Sequence, residues 1–143
     1  LPTSLNVENN TVTVKYSNIS ISELYEVSFF DDCIKKPCVK VNHDKHLTKK
    51  PKFFIFHKSR CGSTLLCNML KQNPNIIVFC EPLILLQIFS ITDDTNLIKQ
   101  LLKKVIVDFC NECDRYNKEV VIKFTSYSIQ YIDLYHIYHV LFR

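Results

Sequence analysis

The sequence FFIFHKSRCGSTLLCNML, residues 53–70, decides how the chain is expected to fold. Its first part, residues 53–56, is an apolar run that predicts a buried strand. Its last part, residues 63–70, begins with two hydroxyl side chains that favour a helix start and continues with apolar residues at helical spacing. The only glycine among the 143 residues, Gly62, lies between the two parts. The stretch therefore predicts a strand, a tight turn and a helix.

The predicted turn has the properties of an anion-binding site. Glycine allows a positive φ and lets backbone amides approach a ligand closely. The first N–H groups of a helix have no partner within the helix, and they lie at the positive end of its dipole. Arg60 adds a planar, permanently charged group that suits phosphate or sulfate oxygens. An ordinary turn capped by Ser63 or Thr64 is the alternative, but an arginine beside the sole glycine favours binding.

Composition excludes several classes of function. A single glycine is too few for the ATPase P-loop, Rossmann or hydrolase-elbow motifs, each of which needs two or more. Net charge is +4, and eight lysines lie within residues 35–58 against one acid, Asp44. This run attracts anions, although a solvated linker is its simpler interpretation. Its part before the predicted strand, residues 35–52, contains no Phe, Tyr or Trp, and arginine is scarce, so we expect no nucleic-acid partner. No apolar run is long enough to predict a transmembrane segment.

We expect two regions, an N-terminal region over residues 1–50 and an α/β domain over residues 51–143. In the first region, residues 5–7, the pair Asn9-Asn10 and the alternating residues 11–16 predict a β-hairpin. Lysines and a proline in residues 45–52 predict a linker.

From Phe53 onward, short apolar strands alternate with helices, which is typical of a parallel sheet covered by helices on both faces. The further strands are predicted at 76–80, 119–124 and 138–142. The helices are predicted at 83–89, from Thr95 as a cap to about residue 109, and at 128–136.

Charged residues follow the predicted strands. Ligands of such sheets bind beyond the carboxyl ends of the strands, and Glu81, Lys123 and Arg143 each lie at or just past such an end, as does Gly62. A carboxylate there can take a proton from an attacking hydroxyl, and the cations can stabilise a transferring anionic group. A kinase would need further carboxylates for magnesium, so we expect transfer without a metal.

The motif Arg60-Cys-Gly-Ser-Thr-Leu-Leu, followed by Pro74 and Glu81-Pro82, resembles the nucleotide-binding start of the sulfotransferase family. These enzymes transfer a sulfuryl group from 3′-phosphoadenylyl sulfate (PAPS) to a hydroxyl or amine. The resemblance implies that the loop holds the 5′-phosphosulfate of PAPS. The loop residues are Arg60, Cys61, Gly62, Ser63 and Thr64.

The same resemblance assigns roles to the charged residues. Glu81 would be the catalytic base, at a spacing from the loop arginine similar to that in protein-tyrosine sulfotransferases. Lys123 would act with Arg60 on the sulfuryl oxygens, and Arg143 would contact the 3′-phosphate. The match covers residues 53–143, so it implies the N-terminal portion of a P-loop NTPase-like sulfotransferase core, with PAPS and an acceptor as partners.

Other interpretations stay open. The chain as a whole could be a P-loop-like kinase, or a non-catalytic nucleotide-binding or inert fragment. Lys123 could lie along the core with its amine reaching water, and Glu81 could be a solvated strand end. His57 is interpreted as a histidine whose hydrogen bonds are satisfied. Cys110-x-x-Cys113 is interpreted as half-buried helix thiols rather than metal ligands.

Overall fold

The computed structural model describes residues 1–8, 11–17, 19 and 50–134. These residues form a mixed α/β structure with a parallel sheet, helices on both of its faces and an N-terminal hairpin, as predicted. The strands are β1 (Pro2–Glu8), β2 (Thr11–Tyr16), β3 (Phe53–Ile55), β4 (Ile76–Cys80) and β5 (Glu119–Lys123). The helices are α1 (Ser63–Leu70), α2 (Leu83–Ile91) and α3 (Thr95–Asp114), followed by a 3-10 helix, Ser126–Tyr131. The predicted strand 138–142 and Arg143 lie outside the described residues.

The parallel sheet has the strand order β3-β5-β4, so β5 occupies the centre. In the register of this sheet, Ile55 of β3 and Cys80 of β4 both pair with Lys123 of β5. Because all three strands run in the same direction, their carboxyl ends meet at one edge. The residues that follow Ile55, Cys80 and Lys123 therefore lie close together in space.

Each face of the sheet is covered by different helices. On one face, Ile77, Phe79 and Ile122 pack with α2 and α3 in the larger hydrophobic cluster. On the other face, Val121 packs with Cys67 of α1 in a smaller cluster. Side chains alternate along a strand, so Lys123 shares the face of Val121. The lysine at the end of the central strand consequently projects toward α1.

Helix α3 is the longest of the described elements and contributes more residues to the larger hydrophobic cluster than any other of them. Its apolar stripe includes Leu102, Val105 and Ile106, all fully buried. The predicted Thr95 cap is wrong, because Thr95 is the first helical residue and the cap is Asp94. The Asp94 carboxylate accepts hydrogen bonds from the N–H groups of Asn96 and Leu97. Aspartate satisfies these free helix donors as well as threonine does, and it comes one residue earlier.

Helix α1 packs through residues other than those that predicted it. Leu65, Leu66 and Met69 are 65%, 44% and 64% exposed. Cys67 is fully buried against the sheet and Leu70 is partly buried. A helix of eight residues makes about two turns, so few of its side chains can face the sheet. In α1 the residue that does so most fully is Cys67.

Two other elements differ from their predicted form. The strand predicted at 53–56 as buried ends at Ile55. Phe53 is 39% exposed, because β3 lies at the edge of the sheet that the described strands form, with β5 as its neighbour there. The helix predicted at 128–136 begins earlier, as the 3-10 helix Ser126–Tyr131. Only Phe124 and Thr125 separate the end of β5 from this 3-10 helix, so the connection is shorter than the predicted one.

The hairpin of β1 and β2 is antiparallel and packs against α2 and α3. The backbone N–H of Leu5 donates a hydrogen bond of 3.2 Å to the Gln87 side chain. The Tyr16 hydroxyl donates one of 2.6 Å to the Asp108 carboxylate, and both residues are buried. These contacts join the described part of the N-terminal region to the helical face of the sheet.

We predict that Tyr16→Phe will lower the free energy of unfolding by about 1–3 kcal/mol, because it leaves the buried Asp108 carboxylate without its donor. Urea denaturation checks this loss. The control is Tyr116→Phe, which removes the hydroxyl of a tyrosine that is 53% exposed and should change stability little. Equal effects of the two substitutions would contradict the prediction.

The same contact predicts a pH dependence. Burial, and then the hydrogen bond to Asp108, raise the pKa of Tyr16. In the unfolded chain a tyrosine ionises near pH 10, so the stabilisation is complete below about pH 10 and is lost as the pH rises above it. Tyr16→Phe should therefore flatten the alkaline slope of unfolding free energy against pH.

None of the helices in the described ranges combines the length and the apolar character needed to cross a bilayer.

Candidate functional site

The candidate site lies at the carboxyl edge of the sheet and is centred on the Lys123 ammonium. Lys123 is 1% exposed, although it carries a charge. Its Nζ lies 2.5 Å from Oε1 of Glu81 and 3.5 Å from Oγ1 of Thr64. A lysine on the central strand thus connects the residue that follows β4 with the first turn of α1. An ammonium this deeply buried requires such partners, because its desolvation is costly.

Glu81 is held in an unusual backbone conformation. Its φ is 52°, in the left-handed region that costs a residue with a side chain about 1–3 kcal/mol. Its N–H donates a hydrogen bond of 2.7 Å to the carbonyl of Lys123, and the next residue, Pro82, is buried. The backbone and the ion pair together fix the carboxylate at the sheet edge. Since the Glu81 side chain is 23% exposed, it also faces solvent.

The loop before α1 has the conformation that the sequence predicts. Gly62 has φ 81° and forms the N-cap without a side-chain cap bond. A Cβ at this position would meet nothing within 4 Å, so backbone conformation rather than packing requires the glycine. The first hydrogen bond of the helix runs from Leu66 N–H to Gly62 C=O. The amides of residues 63–65 are therefore outside the helical ladder.

Arg60 and Cys61 continue this loop at the surface. Both are exposed, and Arg60 has φ 59°. Within the described residues, two of the three non-glycine residues with positive φ are Arg60 and Glu81, and the third is Asn117. Strained backbone at the loop and at the carboxylate is typical of functional sites.

His57 is a member of the site that the sequence analysis missed. Its Nε2 lies 3.3 Å from Oε1 of Glu81, and its side chain is 9% exposed. Despite this distance, Nε2 forms no hydrogen bond within the described residues, contrary to the prediction of a satisfied histidine. Nδ1 lies 2.9 Å from the Lys58 carbonyl, to which it donates when protonated. The position of His57, two residues past β3, is the signal that could have identified it.

A pair of buried thiols lies beneath the site. Cys67 of α1 and Cys80 of β4 belong to the same hydrophobic cluster. A hydrogen bond between the two thiols raises the pKa of Cys67 and lowers that of Cys80. Lys71 and Lys123 also favour the Cys80 thiolate. This polar contact sits directly behind Lys123, in an otherwise apolar layer.

The Cys110-x-x-Cys113 pair lies elsewhere, in the core. Both thiols are buried rather than half-buried as predicted. Burial raises the pKa of Cys110 to about 12. Among the residues that the structure describes, no group of three or more His, Cys, Asp or Glu side chains is placed to hold a metal ion.

The structure thus brings some of the predicted site residues together. Thr64, Glu81 and Lys123 are in contact, while Arg60, Cys61 and Gly62 form the exposed loop that leads into α1. Ser63 is the first residue of that helix. Arg143 lies outside the described residues.

Comparison with protein-family models, with curated proteins and with solved structures found no match to this chain.

We predict that the two halves of the ion pair contribute unequally to stability. Glu81→Gln should lower the free energy of unfolding by about 2–4 kcal/mol, because it leaves a buried ammonium without a counter-charge. Lys123→Met should cost less, since the partly exposed Glu81 carboxylate can be hydrated. Urea denaturation of the two variants measures the difference.

A matched control is Glu119→Gln. Glu119 pairs with Lys52 at the same distance of 2.5 Å, but both side chains are about half exposed. Its loss should therefore change stability by less than about 1 kcal/mol. If Glu119→Gln and Glu81→Gln have equal effects, burial of Lys123 is not what makes its ion pair important.

Proposed function

We propose that the carboxyl edge of this sheet binds PAPS and transfers its sulfuryl group to a hydroxyl or amine acceptor. The observation that carries the proposal is the position of the Lys123 ammonium, which contacts both the Glu81 carboxylate and the Thr64 hydroxyl. A transferring group that rests on the first turn of α1 would lie beside a buried cation and its paired carboxylate. This is the arrangement that acid–base and electrostatic catalysis of group transfer require.

The loop supplies the donor-binding part of the proposed site. The free amides of residues 63–65 point toward a ligand at the helix N-terminus, where the dipole is positive. Arg60 is exposed beside them and carries a guanidinium that matches phosphate and sulfate oxygens. Nε2 of His57, on a side chain that is nine-tenths buried, forms no hydrogen bond within the described residues and lies 3.3 Å from Oε1 of Glu81, which is a second and independent feature of the same edge.

In the proposed reaction the acceptor oxygen or nitrogen attacks the sulfur of PAPS. A new bond from the acceptor to sulfur forms as the bond between sulfur and the 5′-phosphate oxygen breaks. The proton of the acceptor passes to Glu81, and adenosine 3′,5′-bisphosphate leaves. Lys123 and Arg60 stabilise the negative charge that develops on the sulfuryl and leaving-group oxygens.

We predict that adenosine 3′,5′-bisphosphate will raise the melting temperature of the protein. A ligand present at 100 times its Kd adds about 2.7 kcal/mol to the free energy of unfolding. Arg60→Ala should remove most of this shift. Arg115→Ala is the control, since Arg115 pairs with Glu112 on α3, away from the loop. A ligand that gives no shift with the unaltered protein would contradict the binding proposal.

We also predict that Glu81→Gln will keep nucleotide binding and lose at least about 100-fold in sulfuryl transfer from PAPS, because the general base is removed. Transfer of sulfur-35 label to a panel of hydroxyl and amine acceptors measures this. The unaltered protein should remain active in a metal chelator. A strict requirement for magnesium would instead favour a kinase or another phosphotransferase.

A further inference from the structure

The resting ion pair is in conflict with the proposed roles of its two members. Oε1 of Glu81 accepts a hydrogen bond from Lys123 at 2.5 Å, so this oxygen is engaged. The ammonium is likewise directed at the carboxylate rather than at a ligand. Lys123 Nζ also lies 3.5 Å from the Thr64 hydroxyl, so a small movement would carry it to a group bound at the loop. Closer contact of Lys123 with a sulfuryl group at the loop would therefore move its ammonium away from Glu81.

That movement would leave Glu81 without its donor. The carboxylate would then be held only through its backbone, which has a strained φ of 52°. A base that is free to rotate loses the alignment on which proton transfer depends. A second donor within reach of Oε1 would keep the carboxylate in place.

His57 is such a donor. Its Nε2 is 3.3 Å from the same Oε1 and forms no hydrogen bond in the resting arrangement. Its ring is held by burial and by the contact of Nδ1 with the Lys58 carbonyl at 2.9 Å. It lies two residues past Ile55, which pairs with Lys123, so its backbone is close to the end of the sheet. A shift of a few tenths of an ångström, with a small rotation, would give Nε2 a normal hydrogen bond.

We infer that His57 is a positioning residue for Glu81. When Lys123 turns to the transferring group, the imidazolium form of His57, which carries an N–H on both ring nitrogens, donates Nε2–H to Oε1 of Glu81 and replaces the lysine, while Nδ1–H stays on the Lys58 carbonyl. The other oxygen, Oε2, is then left to take the proton of the acceptor. This inference rests on the proposed function for its catalytic meaning, but the exchange of partners can be tested without any ligand.

The first experiment uses the ligand-free protein. Lys123→Met removes the competing donor, so Nε2 of His57 should form its hydrogen bond with Glu81. In ¹⁵N NMR, the Nε2 resonance, assigned by its absence in His57→Gln, should shift from its position in the unaltered protein. The shift should vanish when Glu81→Met, which removes the acceptor oxygens, is added to Lys123→Met. Lys123→Leu, which also lacks a donor, serves as a second replacement if the methionine variant is not folded. An Nε2 resonance that stays unchanged in a folded Lys123 variant overturns the inference.

The second experiment measures kinetics. His57→Ala should lower kcat by about 10- to 100-fold, because Glu81 loses its alignment, and leave the KM for PAPS nearly unchanged. His57→Gln, which keeps an N–H donor near the Nε2 position, should restore most of kcat. Equal losses in the two variants, or a loss in KM alone, would overturn the positioning role. If the unaltered protein transfers no sulfuryl group, the proposed function fails, and the NMR experiment still decides whether His57 replaces Lys123.

Discussion

The burial of one ammonium constrains the carboxyl edge of this sheet. Lys123 ends the central strand, where side-chain alternation points it into the layer between the sheet and α1. A charge with 1% exposure cannot stay there alone, so the edge must provide polar partners. Glu81 and Thr64 provide them from β4 and from α1. The loop, the carboxylate and the central strand are therefore tied together by a single side chain.

Conformational strain lies next to this ion pair. Arg60 and Glu81 both adopt the left-handed conformation that side chains disfavour, and the chain's one glycine occupies a similar conformation between them in sequence. Each strained residue lowers stability by an amount that surrounding packing must offset. Strands β4 and β5, which are part of the buried core, position Glu81 and Lys123. The loop before α1 is exposed. The candidate site thus combines a rigid support from the sheet with an exposed loop. Ligand sites of α/β proteins commonly lie at this edge of the sheet.

The sequence predicted the strands and the general position of the site, because apolar runs and strand ends are local features. Cys80 ends β4 in the sequence pattern and in the structure alike, whereas β5 ends at Lys123, one residue before its predicted end at Phe124. Strand order was not predictable, since nothing local states that β5 inserts between β3 and β4. The exposure of Leu65 was also not predictable, because helical spacing of apolar residues does not show which face of a short helix packs on the sheet. His57 was interpreted as a satisfied histidine, because that is the commoner case and the sequence alone does not place Glu81 beside its ring.

The central position of β5 also bears on how the protein folds. β3 and β4 are not neighbours in the described sheet, so neither has a strand to pair with until residues 119–123 have been synthesised. The contact of Lys123 with Thr64 spans 59 positions of chain, and closing a loop of that length carries an entropy cost before any contact compensates for it. Topologies with such distant pairings fold slowly. On the ribosome, α1 and its loop would therefore be synthesised before β5. The candidate site would be completed only when β5, the last strand of the described sheet, pairs with β3 and β4.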